Sequence, residues 1–263
     1  MLKYSILIFI IFFIIFLLSL CYIFYCKYNE HFTESKFDIL KKYIVPTETR
    51  NKILTGYKVL HDIFEKNDIF YMIEGGTLLG SVRNEKLIPW DDDGDVSVWK
   101  KDQGKIMSLA NEFSKYGYSL EQYPFLLRVI LDKKKNFPFI DLFLYDEPDL
   151  NNNNNRIIRC LPQNNEDAKL GITCNKNQCC YPDRSNLWWW KNSYSVSDIF
   201  PRKLYKVNDI QLYGPNNPIP YIEGWYGKDA INTYKFTHDH NGDNKKEYTF
   251  TPKEIEDIYA KLY

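Results

Sequence analysis

In "IEGGTLLGSVRNEKLIPWDDDGDVSVW", residues 73–99, two glycines end an apolar run, and four carboxylates (Asp91, Asp92, Asp93 and Asp95) then fall within five positions. Like charges so close raise one another's pKa unless a cation sits among them. The cluster is therefore a solvated acidic turn or a site built around a metal. Side chains alternate along a strand, so an extended segment turns Asp91, Asp93 and Asp95 one way and Asp92 the other. Asp93 and Asp95 could then grip one divalent ion, because hard cations such as Mg²⁺ take oxygen ligands, commonly one or two carboxylates plus substrate phosphates. "FIDLFLY" (139–145) offers a third carboxylate, with Asp141 on the face of Phe143 and Tyr145. An ionised Asp inside such an apolar run is costly unless paired or metal-bound. Taken singly, Asp141 is as readily explained by pairing with Arg128 or by capping a helix.

The glycines tip the balance. A strand that ends in Gly75–Gly76 and opens into "TLLGSVR" presents backbone N–H groups and a helix N-terminus, a place for phosphate oxygens. Phosphate donors on one side and metal-binding carboxylates on the other suit phosphoryl or nucleotidyl transfer.

Outward from this stretch, the periodicities predict alternating elements and then hairpins. Ile53, Leu54, Tyr57, Leu60, Ile63 and Phe64 lie at helical spacing, with Thr47 or Thr49 as N-cap. "IFYMI" (69–73) and "DVSVW" (95–99) read as strands, and residues 101–117 as one helix ended by Gly117. "FLLRVILD" and "FPFIDLFLYD" flank "KKKN" as a hairpin, as do the halves of "RKLYKVNDIQLYG". A short helix near "PYIEGWYG" and a terminal helix in "TPKEIEDIYAKLY" follow. The class is α+β, a mixed β-sheet with flanking helices.

Lys plus Arg equals Asp plus Glu at 34 each, so the chain lacks the basic excess of a general nucleic-acid binder. Residues 4–26 carry no charge and are long enough to cross a bilayer as a helix. A cleaved signal peptide would have a shorter apolar run and a small-x-small site. The expected organisation is a transmembrane anchor over 1–26, a stem over 27–46 and a catalytic domain over 47–263. The short N-terminal tail favours a single-pass protein, N-terminus in the cytosol, with its catalytic domain in a secretory lumen or outside the cell. The oligomeric state is written in no motif.

Residues 149–186 break the rhythm as a polar inserted loop with the "NNNNN" run and four cysteines, Cys160, Cys174, Cys179 and Cys180. A loop with no core of its own calls for a staple, zinc or disulfides. "WWW" (188–190) reads as core or groove lining, with base or sugar stacking the sharper alternative. His238 and His240 read as a solvated loop, and no Asn-x-Ser/Thr sequon occurs.

The glycine pair, "TLLG", an arginine, "IPWD" and the alternating aspartates together resemble the signature of the LicD family, which includes bacterial phosphocholine transferases and the animal fukutin and fukutin-related proteins. The likeness continues through "DIFPRK" (198–203), "YGPNN" (213–217) and "WYG" (225–227). It implies a nucleotidyltransferase-like fold and Mg²⁺ or Mn²⁺ on Asp93 and Asp95, with Asp91 just before them and Asp141 as the later strand aspartate. It also implies Gly75, Gly76 and Thr77 as the phosphate-cradling turn, with Arg83 as the motif arginine. By the same resemblance, the reaction moves a phospho-alcohol of ribitol-, choline- or glycerol-phosphate type from a CDP-activated donor onto a glycan or glycoprotein. The cysteines are similar to a zinc-binding set in fukutin-related protein. Two readings compete: a nucleotidyltransferase that installs a whole NMP, and a catalytically silent glycan-binding scaffold.

Overall fold

In the computed structural model, which describes residues 2–41, 43–123, 126–147, 156–159, 193–236 and 248–262, the chain divides into two compact units. The first comprises Met1–Ile44 and Lys253–Tyr263. It contains helix α1 (Leu2–Lys41), whose segment Ile11–Tyr28 is long and apolar enough to cross a membrane and buries none of its residues. The helical patch expected in the stem is continuous with the apolar segment, since no Gly or Pro lies between Lys27 and Val45 to end the helix. A C-terminal helix (Pro252–Leu262) buries Ile255, Ile258 and Tyr259 at helical spacing, and its Lys261 ammonium lies 4.3 Å from the Phe37 ring centre.

The second unit, Val45–Pro252, is built on a mixed sheet. Helix α2 (Thr47–Lys66) comes first, and Pro46 rather than a threonine occupies its N-cap. Thr47 is already helical, and its hydroxyl accepts from the buried Arg50 guanidinium, which also donates to Val45 O. Strands β1 (Tyr71–Ile73), β2 (Gly94–Trp99), β5 (Phe139–Asp146), β4 (Leu126–Ile130) and β3 (Ser119–Gln122) lie side by side in that order. Only β2 and β5 run parallel; the other neighbours in that order are antiparallel. Strand β6 (Arg156–Arg159) pairs with the end of β5, and β7 (Ser193–Ser195) pairs with β6. Helix α3 (Gly75–Asn84) links β1 to β2. The segment expected as one helix over 101–117 is a 3₁₀ turn (Lys100–Asp102), α4 (Gln103–Ser108) and α5 (Ala110–Ser114), interrupted at Leu109. Ser108 Oγ donates to Lys105 O, the local competition for backbone carbonyls that loosens serine-bearing helices. Edge strand β3 had no separate sequence signal; it is short and half-exposed.

One apolar cluster joins Ile53, Tyr57, Leu60 and Phe64 of α2 to Val96 and Val98 of β2 and to Ile140, Leu142 and Leu144 of β5. Hairpin β8 (Lys203–Val207)–β9 (Ile210–Gly214) is fastened to the same core. Arg202 donates to Tyr71 O at 2.6 Å and lies over the Phe70 and Tyr213 rings at 4.8 and 4.1 Å. Ser81 Oγ of α3 donates to Lys206 O at 2.8 Å. A last pair, β10 (Tyr234–Phe236) and β11 (Tyr248–Phe250), sets Phe236 and Phe250 against Trp90.

Tyr57 ties helix to sheet at the start of β2. Its buried hydroxyl accepts from Asp95 N–H at 2.7 Å and is hydrogen-bonded to Thr77 Oγ1 at 2.7 Å. Tyr57→Phe leaves both groups without this partner, at a cost of about 1–3 kcal/mol. The expected fall in Tm is roughly 2–4 °C per kcal/mol, and an unchanged Tm in calorimetry would show that the tie carries no stability.

Candidate active site

Sheet register places the carboxylates. Asp95 of β2 is the parallel partner of Asp141 of β5, and Asp141 is the antiparallel partner of Arg128 of β4. These three residues therefore form one row across adjacent strands. Carboxylate oxygens of Asp93, Asp95 and Asp141 all lie within 4.8 Å of one another. The plainer explanation of Asp141 also holds: Arg128 Nε and Nη2 donate to its two oxygens at 2.6 and 2.9 Å. Strand alternation does not extend to Asp91 and Asp93, because β2 begins only at Gly94 and the preceding stretch is a bend. Asp93 reaches the cluster through that bend.

The glycine turn is pressed onto the same carboxylates. Gly75 has φ +57°, and a Cβ there would lie 2.2 Å from Asp95 Oδ2. A Cβ on Gly76 would lie 2.3 Å from Asp91 Oδ2. Side chains at these positions would expel the two aspartates, so the glycines are needed for close approach as well as for backbone conformation. Gly75 N–H donates to Tyr221 Oη at 3.0 Å, from the helix Ile219–Tyr226. Thr77 is fully buried and its hydroxyl is hydrogen-bonded to Tyr57 Oη at 2.7 Å. Glu74, one residue before the turn, is buried too; its carboxylate accepts from Ser97 Oγ and, at 2.8 Å, from Tyr145 Oη.

Gly76, Asp91, Asp93 and Asp95 open onto a cavity of about 560 Å³. Trp90, Trp225 and Tyr226 supply its aromatic lining, and Arg83, Lys228 and Lys235 its cations. Arg83 also clamps the far wall, donating from Nε to Ala230 O at 2.7 Å and from Nη2 to Thr233 O at 2.8 Å. Burial pushes the Asp91 carboxyl well above the usual carboxylate range, and the charges of Asp93 and Asp92 push it further. Asp95 is raised likewise, by burial first and then by Asp93, Asp91, Glu74 and Asp141. Asp91 Oδ2 is buried with no hydrogen-bond partner. Hard oxygen donors in this crowding, one of them orphaned, fit a divalent cation.

Among the predicted residues, the structure brings together Gly75, Gly76, Asp91, Asp93, Asp95 and Asp141, with Arg83 on the cavity wall. Cys160, Cys174, Cys179, Cys180, the "WWW" run, His238 and His240 lie outside the described residues. Sequence reasoning missed Glu74, Tyr57 and Tyr221 as parts of the site. A glutamate ending an apolar strand beside the glycine pair was a readable signal for Glu74; Tyr57 and Tyr221 had none beyond their apolar company.

The site is therefore a set of carboxylates held by a mixed α+β sheet beside a glycine-opened helix, over one cavity. The family model for the LicD/FKTN/FKRP nucleotidyltransferase domain matches residues 68–217, and the chain belongs to that family. An uncharacterized protein of Rickettsia prowazekii is 26% identical over 196 residues, 71% of this chain and 58% of the relative. An uncharacterized Rickettsia typhi protein is 25% identical over 187 residues, 71% of this chain and 49% of its own. The chain thus spans about half the length of these relatives. Lipopolysaccharide cholinephosphotransferase LicD of Haemophilus influenzae is 29% identical over 102 residues, covering 33% of this chain and 38% of that one. Among solved structures, the lincomycin-bound lincosamide adenylyltransferase LnuA matches with a TM-score of 0.36 and 14% identity, over 66% of this chain and 82% of its own.

A raised carboxyl pKa in the folded state means that ionisation is easier in the unfolded chain. Its contribution to stability is full below the ordinary value near pH ~4 and is lost as pH rises through the raised one. In EDTA, Asp91→Asn should therefore melt above the parent at pH 7, with the gap closing below about pH 4. Thermal unfolding across that range checks this; a variant less stable than the parent at pH 7 would contradict it.

Proposed function

We propose that the chain is a membrane-anchored, metal-dependent phosphotransferase that moves a phospho-alcohol from a CDP-activated donor to a glycan acceptor. The observation that carries this reading is the closure of the Gly75–Gly76 turn onto Asp91 and Asp95, beside the oxygens of Asp93 and Asp141, at the mouth of one cavity. The cholinephosphotransferase name of the Haemophilus relative supports the donor class. Helix α1, with no residue of Ile11–Tyr28 buried, supports the anchor.

Asp93, Asp95 and Asp141 would hold Mg²⁺ or Mn²⁺, which neutralises pyrophosphate charge and stabilises the departing CMP. Arg83, Lys228 and Lys235 add fixed positive charge along the cavity for the donor's phosphates. Trp90, Trp225 and Tyr226 offer flat faces to the base or to the sugars. The acceptor hydroxyl oxygen bonds to the phosphorus that bears the alcohol, and the P–O bond to CMP breaks. Asp91, whose Oδ2 has no hydrogen-bond partner, receives the hydroxyl proton. Buried Glu74, which accepts from Tyr145 Oη at 2.8 Å, adds its charge to those acting on Asp95.

Full-length protein in detergent with Mn²⁺ and a panel of CDP-alcohols should release CMP in the presence of a glycan acceptor. Asp91→Asn should slow release by about 10²–10⁴-fold, and Asp93→Asn and Asp95→Asn should abolish the metal dependence along with turnover. Pyrophosphate release from an NTP would instead establish NMP transfer. Turnover unaffected by the aspartate substitutions would overturn the site.

A further inference from the structure

We infer that Arg50 and Phe250, which lie outside the cavity lining, are positioning residues for Asp91: each secures, from one sequence end of the second unit, the turn that carries it. The link to turnover rests on the reading of Asp91 as the base; the hold on the turn does not.

Residues 85–91 lie between α3 and β2, in no helix or strand, so no ladder holds them. Backbone groups in such a segment need partners from elsewhere. Asn208, at the tip of the β8–β9 hairpin, serves the start: its N–H donates to Glu85 O at 2.7 Å, and its Oδ1 accepts from Leu87 N–H at 3.0 Å. Nearer the carboxylates, Val45 N–H donates to Pro89 O at 2.9 Å, and Asp91 N–H closes the turn onto Ile88 O at 3.0 Å.

Val45 is the first residue of the unit, and it is itself held. The buried Arg50 guanidinium donates from Nη1 to Val45 O and from Nη2 to Thr47 Oγ1, both at 3.1 Å. Its planar fork fixes two acceptors at once. Val45 is thus gripped by its carbonyl while its N–H grips Pro89. The other end of the unit reaches the next residue. Phe250, buried on β11 and two positions before the unit ends at Pro252, sets its ring 6.1 Å from that of Trp90, beside Phe236 at 5.5 Å. Pro89 is held by its carbonyl and Trp90 by its ring, and Asp91 follows directly. Asp95 and Asp141 are set by the β2–β5 register instead. Loosening the turn therefore displaces Asp91 and leaves that row in place.

The test is hydrogen–deuterium exchange of the full-length protein in detergent, comparing the parent with Arg50→Gln and Phe250→Leu. Both variants should exchange residues 88–93 roughly tenfold faster than the parent, with residues 139–146 of β5 unchanged. Near-ultraviolet circular dichroism checks that each variant is folded; where Arg50→Gln is not, Phe250→Leu decides. In the CMP-release assay, kcat should fall by as much as ~10²-fold, the cost of a small misplacement. Mn²⁺ affinity, read by electron paramagnetic resonance, should change far less, since Asp95 and Asp141 stay on the ladder. Parent-like exchange at 88–93 in a folded variant, or equal acceleration at 139–146, would overturn the inference. So would kcat and Mn²⁺ affinity falling together. A parent that releases no CMP would overturn the functional reading instead, and the exchange rates would still decide whether Arg50 and Phe250 hold the turn.

Discussion

Mutual repulsion among buried carboxylates is the constraint around which the second unit is organised. Asp91 and Asp95 are each held where ionisation is disfavoured by burial and by their neighbours. Such a cluster spreads apart unless the surrounding structure prevents it. Three restraints do so. The β2–β5 register fixes Asp95 beside Asp141. Tyr57, packed under Gly94 where a Cβ would come within 2.6 Å of its hydroxyl, pins the Asp95 backbone. The glycine turn closes over the top. Through Tyr57, the apolar contact between α2 and the sheet bears directly on Asp95, so the core helps to hold the site.

The C-terminal half of the unit supplies the opposite wall and the means of holding it. Tyr221 reaches back to the Gly75 N–H across 146 positions of sequence, and Arg83 reaches forward to the carbonyls of Ala230 and Thr233. Tyr221 is itself stacked on Tyr194 at 4.8 Å. Glycine turn and cavity wall are thus tied in both directions. Arg83 therefore has two duties: it lines the cavity and it fixes the loop that completes it.

The motif from Gly75 to Asp95, the hairpins and the amphipathic helices were legible because each is local: a glycine pair, a charge cluster or a period can be seen in a short window. The link between Asp141 and that motif was legible only as an oddity, a charge in an apolar strand. Its two explanations, metal ligand and partner of Arg128, are compatible because one carboxylate has room for both. Strand parity gave a mistaken geometric basis for grouping Asp91 with Asp93 and Asp95, since the bend before Gly94 does that work. Tyr57, Glu74 and Tyr221 were illegible as site residues because their meaning lies in partners 20 to 146 positions away. The break at Leu109 escaped the periodicity because no Pro or Gly marks it.

Register rather than loop conformation fixes the cluster, and this divides the chain into tolerant and intolerant parts. Asp95, Asp141 and Arg128 lie on paired strands, where a one-residue slip turns every side chain to the other face. An insertion in the Lys133–Asn136 turn lengthens the hairpin tip without changing which residues of β4 and β5 face one another. The same insertion within β5 separates Asp141 from both Arg128 and Asp95. Asp91 and Asp93 have no ladder to hold them and depend on the close contact with Gly76 and on Trp90 packed against Phe236 and Phe250. Half of the cluster is therefore held by sheet pairing, and half by packing and a turn in which Asp91 N–H donates to Ile88 O at 3.0 Å. A substitution at Gly76 therefore acts on Asp91 directly, while the Asp95–Asp141–Arg128 row keeps its register.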